Sequence, residues 1–198
     1  MTVTEIGLLK LKPSTTAIDD PELLARIAEA KKVMQDFTGK NFYFLQQVED
    51  PSFIYVLGEW ESIAHGTKVF QDGVPKIQEF LEFQWQGHFD VPVADIQLDA
   101  PVLSLGRHMI KEGKRKDFAN CFAENRKHLD AFVTEGQAAG GWRLDDGRER
   151  EEFVLLAPWK EVPQHHEFGK TEGFKEYFKI KDFVEEASIK HLRLMKEL

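Results

Sequence analysis

The feature that most constrains this chain is an internal repeat with a spacing of about a hundred residues. An apolar run that ends in tryptophan occurs twice, at residues 54–60 and at residues 153–159. A histidine follows each tryptophan, at His65 and at His165, and an aromatic segment comes next. A repeat of this kind predicts two halves that fold on one plan.

Each half has the same predicted order of elements, β-α-β-β-α-β, which is the ferredoxin-like split unit. Asp20 before Pro21 is a helix start signal, because aspartate caps a helix and proline suits its first turn. We predict the α+β class, with two tandem ferredoxin-like units at residues 1–99 and 100–198. The predicted strands are 5–11, 41–48, 53–60 and 93–98, then Val102–Ile110, 141–145, 152–159 and 188–195, and the long helices span 21–37 and 118–133.

Several predicted strands are apolar at nearly consecutive positions, as at residues 42–45 and 154–157. Such runs are typical of strands that are covered on both faces. Helices cover one face of a ferredoxin-like sheet, so the other face needs a second layer. We therefore predict that the two units pack sheet to sheet as an intramolecular α/β barrel.

Composition excludes several classes of partner. The net charge is -8, from 26 basic and 34 acidic residues, so phosphate backbones are repelled and no nucleic-acid partner is expected. The apolar runs are far shorter than the ~20 residues of a membrane span. The start of the chain lacks a basic stretch followed by an apolar one, and the single Cys121 has no partner for an intramolecular disulfide. We expect a cytoplasmic protein without membrane contact.

Motifs for metals and phosphates are missing from the sequence. No pair of histidines has the HxH or HxxxH spacing, and no CxxC occurs. The sequence also has no glycine-rich phosphate loop and no GxSxG nucleophile elbow. We predict no metal site and no cofactor.

The strand ends at Glu59-Trp60 and Pro158-Trp159, with the histidines that follow them, resemble the antibiotic biosynthesis monooxygenase-like group of the dimeric α/β-barrel superfamily. The resemblance covers nearly the whole chain, as a tandem fusion. The group includes cofactor-free monooxygenases of aromatic polyketides and quinols, haem-degrading enzymes, and cyclases or decarboxylases. Other members have no demonstrated reaction. The resemblance implies a small-molecule pocket between sheet and helices, and it leaves a further homodimerisation open.

The haem-degrading branch of the group relies on an asparagine in the first strand and a histidine about ten residues beyond the tryptophan. Here the later positions are Phe70 and Gly169, and neither first strand contains asparagine. Haem degradation is therefore disfavoured.

Oxygenation without a cofactor needs a base that deprotonates a phenol or enol, and groups that hold the resulting anion. A histidine suits the first task because its ordinary pKa is near 6.5. His165 and His65 are the candidate catalytic bases, although a surface helix would also explain them. Asn125 lies in the apolar stripe of its helix and is the third catalytic candidate, with a bond to the backbone as the alternative.

Further polar and aromatic residues are candidates for the pocket wall. Arg107 and His108 lie on opposite faces of their predicted strand, so one of them faces the helices. For the tryptophans the alternative is packing in the core. For His88 the alternative is a position on the rim of the pocket, in a loop at residues 84–90. The predicted substrate-binding residues are Trp159, Trp60, Arg107, His108, Trp142, His166 and His88.

These residues favour a cofactor-independent monooxygenase-like tailoring enzyme that acts on an aromatic or polyketide-like small molecule. The alternatives are a non-enzymatic small-molecule-binding or stress-associated α/β-barrel protein, and a cyclase or decarboxylase on the same fold. The second half carries more polar groups at predicted inward positions. We therefore expect the working pocket there.

Overall fold

The computed structural model describes residues 3–13, 17–63, 77–133, 136–145, 150–196 and 198. The chain divides into two units. The first unit consists of Met1–Val93 together with Leu192–Leu198, and the second unit is Ala94–His191.

The first unit contains four strands in the order β4-β1-β3-β2. Strand β1 pairs antiparallel with both β3 and β4, and β2 pairs antiparallel with β3. Its elements are β1 (Val3–Leu11), α1 (Pro21–Thr38), β2 (Phe42–Gln47), β3 (Phe53–Trp60) and β4 (Leu81–Phe89).

The second unit repeats this plan. Strand β7 lies between β5 and β6 and is antiparallel to both. Strand β8 begins in the second unit, and its last three residues, 192–194, belong to the first unit and pair with β2. The elements are β5 (Val102–Ile110), α2 (Arg115–Asp130), β6 (Ala139–Trp142), β7 (Glu151–Trp159), α3 (Val162–Phe168), α4 (Glu172–Tyr177), a 3-10 helix (Phe178–Phe183) and β8 (Val184–Leu194).

Local signals explain where α1 begins and ends. The Asp20 side chain accepts hydrogen bonds from two backbone N–H groups of the first turn, and Pro21 follows it. Gly39 ends the helix at a φ of 67°, a left-handed conformation that glycine adopts without strain. Helix α1 buries Leu23, Ile27 and Ala30. None of the described helices has both the length and the apolar character needed to cross a membrane.

Each unit has its own apolar core. The first core surrounds Trp60 and Phe42, and the second surrounds Trp159 and a group of phenylalanines on α2, α3 and β7. The predicted α+β class agrees with this structure, which is compatible with a ferredoxin-like fold. The tandem division at residues 1–99 and 100–198 stays a prediction. The sheet-to-sheet packing of the units stays a prediction.

The prediction was wrong for the last strand of the first half. Val93–Asp95 forms a short 3-10 helix, and the strand beside β1 is β4. Leu81, Phe83 and Trp85 alternate with polar residues, which is the period-two pattern of a strand that was misread as a loop. The aromatic segment that the repeat predicts as a helix opens at residues 73–80; residues 73–76 lie outside the described part of the chain, and residues 77–80 form a turn.

Candidate functional site

A cavity of about 150 Å³ lies within the second unit. Residues of β5, β7, β8, α2, α3, α4 and the 3-10 helix line it, and most of them are apolar or aromatic. Phe178 and Ile189 are partly exposed and mark the side that reaches solvent. The polar side chains in the wall are Ser104, His108, His165, Tyr177 and Lys181.

Trp159 forms part of the wall, and its indole N–H is already bonded. Nε1 donates to Oγ of Ser104 at 2.8 Å, and that hydroxyl donates to the carbonyl of Ala157 at 3.4 Å. Antiparallel pairing of β5 with β7 places Ser104 opposite Ala157, two residues before the tryptophan. The indole N–H is therefore engaged within the protein, and the ring offers its apolar face to the cavity.

His165 lies flat on Trp159, with ring centroids 4.3 Å apart and an angle of 11° between the planes. Its Nδ1 is 2.8 Å from Nε2 of His191, so Nε2 is the nitrogen left for a ligand. Burial, together with the charges of His191 and His166, lowers the pKa of His165 to about 4. The ring is thus neutral near pH 7, and its unprotonated nitrogen accepts a hydrogen bond; the lowered pKa also makes it a weaker base than an exposed histidine.

His108 is the second histidine of the wall. Its Nδ1 lies 3.3 Å from the carbonyl of Phe153, and because a carbonyl only accepts, Nδ1 carries the hydrogen. Burial lowers the pKa of His108 to about 4, although the bond to the carbonyl acts in the opposite direction. A Cβ at Gly106 would lie 2.8 Å from the His108 ring, so this glycine makes room for it.

Two further groups in the wall are hydrogen-bond donors. Burial raises the pKa of the Tyr177 hydroxyl, and the charge of Asp130 adds to the effect, so the hydroxyl stays protonated. Lys181 lies on the exposed side, with Nζ 4.8 Å from the centroid of the Phe178 ring. An ammonium group therefore stands at the opening of an otherwise apolar cavity.

Four of the predicted site residues of the second half lie outside the cavity wall. Arg107 binds the buried Glu152, with 2.5 Å between Nε and Oε1. Asn125 donates to the backbone carbonyl of Cys121 at 2.9 Å, so the backbone bond is what the structure shows. Trp142 packs in the aromatic core, and His166 is exposed.

Arg107 belongs to a network of buried charges. Arg143 also binds Glu152, with 2.7 Å between Nη1 and Oε2, and it reaches Asp145 at 2.6 Å. Burial by itself would raise the pKa of Glu152, but the hydrogen bonds and charges of the two arginines lower it overall. The network holds β5, β7 and the end of β6 together and has a structural part in the unit.

The corresponding place in the first unit is packed differently. The Phe42 ring meets Trp60 edge-on at 5.0 Å and lies over Gly58, where a Cβ would be 2.1 Å from the ring. Among the described residues the Trp60 N–H has no hydrogen-bond partner. His88 is buried in β4, with Nε2 3.3 Å from Oε2 of Glu5, so the predicted rim position was wrong.

His65, the predicted base of the first half, lies in residues 64–76, outside the described part of the chain. The comparison between the two candidate bases therefore stays a prediction.

Comparison with solved structures gives one clear result. A protein from Fusobacterium nucleatum described as a monooxygenase has a TM-score of 0.68 at 11% identity, over 98% of this chain and 93% of that one. An anthrone oxidase-like protein has a TM-score of 0.67 at 12% identity, over 98% of this chain and 91% of that one. A haem-binding protein from Thermus thermophilus has a TM-score of 0.63 at 10% identity, over 99% of this chain and 92% of that one. The chain shares their fold.

Chlorite dismutases are also among the matching structures. No protein-family model and no curated protein matches the sequence. At these identities the likeness concerns the fold, so the chemistry of the site rests on its own residues.

Haem does not fit the cavity as its described residues form it. A volume of about 150 Å³ holds a single benzene-sized ring, whereas the haem macrocycle contains four pyrrole rings. Among the described residues, no group of three or more His, Cys, Asp or Glu is placed to hold a metal ion. The site offers a place for one small ring.

Sequence reasoning missed four groups of the site, namely His191, Ser104, Tyr177 and Lys181. A signal for His191 was present, because the last strand of each unit contains one buried histidine, His88 or His191. A signal for Ser104 was the need of a buried indole N–H for an acceptor. Nothing in the pattern pointed to Lys181.

Proposed function

We propose that the second unit is a cofactor-independent, monooxygenase-like site for a small hydroxylated aromatic compound. The observation that carries the proposal is the position of His165, a neutral base with a free ring nitrogen in the wall of an apolar cavity. The fold shared with an anthrone oxidase-like protein and with proteins described as monooxygenases supports it.

The size of the cavity selects the substrate class. About 150 Å³ accommodates one aromatic ring, so a monocyclic phenol or hydroquinone fits within the wall and a three-ring polyketide does not. The aromatic side chains favour a flat apolar ring by burial and by ring contacts. Lys181 at the opening attracts a ligand that carries or develops negative charge.

The chemistry begins with a proton transfer. His165 Nε2 takes the hydroxyl proton of the bound hydroquinone, and the phenolate that forms is a better electron donor to dioxygen than the phenol. In the overall reaction the hydroquinone supplies two electrons, one oxygen atom enters the ring, and the other leaves as water. The product is a hydroxyquinone. The apolar wall keeps water away from the reactive intermediates.

A non-enzymatic binding function is the second candidate. One observation favours it, because three groups of the wall already have partners within the protein: Trp159 bonds to Ser104, His165 to His191, and His108 to the Phe153 carbonyl. A site with internally paired groups binds an apolar ring without having to act on it.

Oxygen uptake by the metal-free protein tests the proposal. Methyl-substituted hydroquinones are the substrates, and an anthrone serves as the oversized comparison. We expect uptake stoichiometric with product for the single-ring compounds. His165→Gln should lower kcat by about 100-fold or more.

The matched control is His128→Gln, which changes a histidine of α2 outside the cavity wall and should leave turnover unchanged. Equal turnover in the His165→Gln variant would contradict the proposed base. Binding of the hydroquinones without any uptake would support the binding function instead.

A further inference from the structure

His191 is a buried histidine of β8 whose ring contacts those of His165 and His166. Its Nε2 lies 2.8 Å from Nδ1 of His165, and the two rings meet at 73°. The ring stacking on Trp159 fixes the plane of His165, so the bond to His191 decides which of its nitrogens carries the hydrogen.

A hydrogen bond between two neutral imidazoles has two arrangements. In one, His165 Nδ1 carries the hydrogen and His191 Nε2 accepts it, which leaves a lone pair on His165 Nε2. In the other, His191 donates, and His165 carries its hydrogen on Nε2. The first arrangement gives a base in the cavity wall, and the second gives a donor that is unable to take a proton from a ligand.

The surroundings favour the first arrangement. Tyr177 and Lys181 line the cavity; the tyrosine hydroxyl both donates and accepts, and the ammonium group only donates. A further N–H directed into this largely apolar space would need an acceptor there, and orphaned buried N–H groups are rare in folded proteins. An Nε2 lone pair complements the donors instead.

We propose that His191 accepts the hydrogen of His165 Nδ1 and thereby holds His165 in the tautomer whose Nε2 lone pair faces the cavity. His191 is in this view a positioning residue, because it acts through His165 and does not line the cavity. The catalytic consequence rests on the proposed function, whereas the tautomer is a property of the protein alone.

The bond also matters during the reaction. When a ligand hydroxyl gives its proton to Nε2, the His165 ring becomes an imidazolium, and the ligand leaves that step as a phenolate. The Nδ1 hydrogen stays bonded to His191, and a charged donor makes this bond stronger than it was before. His191 therefore stabilises the protonated form of the base at the moment when it forms.

Long-range ¹H–¹⁵N correlation of the histidine ring nitrogens tests the tautomer without any substrate. We expect a protonated Nδ1 and an unprotonated Nε2 on His165 in the unaltered protein. His191→Phe removes the acceptor, and the hydrogen should shift to Nε2 in a substantial fraction of molecules. His191→Gln supplies an amide oxygen as a replacement acceptor and should restore the Nδ1 hydrogen.

Kinetics with a hydroquinone give the second readout. His191→Phe should lower kcat by about 10-fold or more at nearly constant KM, within the contribution that general acid–base catalysis makes. His191→Gln should recover most of this loss. The pH dependence of kcat is measured for each variant as well. It is interpreted with the titratable groups that share the cavity or the histidine cluster with His165, which are His191, His166, His108, Tyr177 and Lys181.

The outcomes are distinguishable. A hydrogen on Nε2 of His165 in the unaltered protein, or an unchanged spectrum in His191→Phe, overturns the inference. The expected tautomers without turnover in any variant would support the inference and refute the proposed function. Circular dichroism of both variants shows whether each one folds, and the glutamine variant keeps the test valid if the phenylalanine variant does not.

Discussion

Replacement of Ser104 by alanine tests the wall of the cavity at its most buried polar contact. Ser104 Oγ accepts the indole hydrogen of Trp159 at 2.8 Å, and the two residues are 4% and 0% exposed. Ser104→Ala removes the acceptor and leaves the N–H without a partner in a place that the His165 ring covers. A buried donor without a partner costs about 1–3 kcal/mol.

The measurements are urea unfolding and thermal unfolding, both followed by far-ultraviolet circular dichroism. With a central value of about 2 kcal/mol, and a shift of about 2–4 °C per kcal/mol for a chain of this size, the melting temperature should fall by about 4–8 °C. The double variant Ser104→Ala with Trp159→Phe removes donor and acceptor together. Its loss should be smaller than the sum of the two single losses, which isolates the energy of the bond.

The repeat supplies a matched control. Trp60→Phe replaces the corresponding tryptophan of the first unit, where the described residues offer the indole N–H no acceptor. Trp159→Phe should therefore destabilise the protein by about 1 kcal/mol more than Trp60→Phe does. A loss below about 0.5 kcal/mol for Ser104→Ala, together with additive effects in the cycle, would refute the reasoning.

Three further predictions concern pH and packing. Because burial lowers the pKa of His165 and His108 to about 4, the unfolded chain binds protons before the folded protein does as the pH falls. The free energy of unfolding should therefore drop between about pH 6.5 and 4, by about 1.4 kcal/mol per pH unit for each ring. Urea unfolding of His108→Gln should show a shallower drop, and equal slopes for the two proteins would contradict the prediction. Phe42→Ala should lower the free energy of unfolding by about 3–5 kcal/mol in the same assay, because it removes the ring that lies over Gly58. A loss below about 1 kcal/mol would mean that neighbouring side chains close the space. Glu152→Gln should lower the free energy of unfolding by about 3 kcal/mol, because Arg143 loses its charged, buried partner. An unchanged denaturation midpoint would mean that this ion pair does not contribute to stability.

Sequence patterns predicted those parts of the fold that depend on one element at a time. The period of a strand placed Arg107 and His108 on opposite faces, and in the structure His108 lines the cavity while Arg107 binds Glu152. The tryptophan and the following histidine that the repeat singled out, Trp159 and His165, stack on each other in the structure. Strand β4 was missed because Gln84 and Gln86 gave it the composition of a loop, although its alternation was that of a strand.

The rest of the site depends on contacts between distant elements, which a single sequence does not encode in its local pattern. His165 and His191 are 26 positions apart, and their contact requires both the start of α3 and the register of β8. Asn125 shows the opposite error. Its place in the apolar stripe was correctly predicted, but an asparagine in that place satisfies itself on the carbonyl of Cys121, one turn earlier.

Among the described residues, one difference between the two units is the size of a single side chain. Strand register makes Ala138 the counterpart of Phe42, because Tyr43 lies opposite Leu57 and Ala139 opposite Leu156, each three residues before the tryptophan. In the first unit the Phe42 ring lies over Gly58, whereas in the second unit Ala157 lines the cavity.

The cavity of the second unit opens to solvent beside Phe178 and Ile189, and a ligand with one aromatic ring would cover apolar wall that water otherwise reaches. An apolar cavity beside a neutral histidine whose Nε2 accepts a hydrogen bond is therefore better explained as a ligand site than as a packing defect.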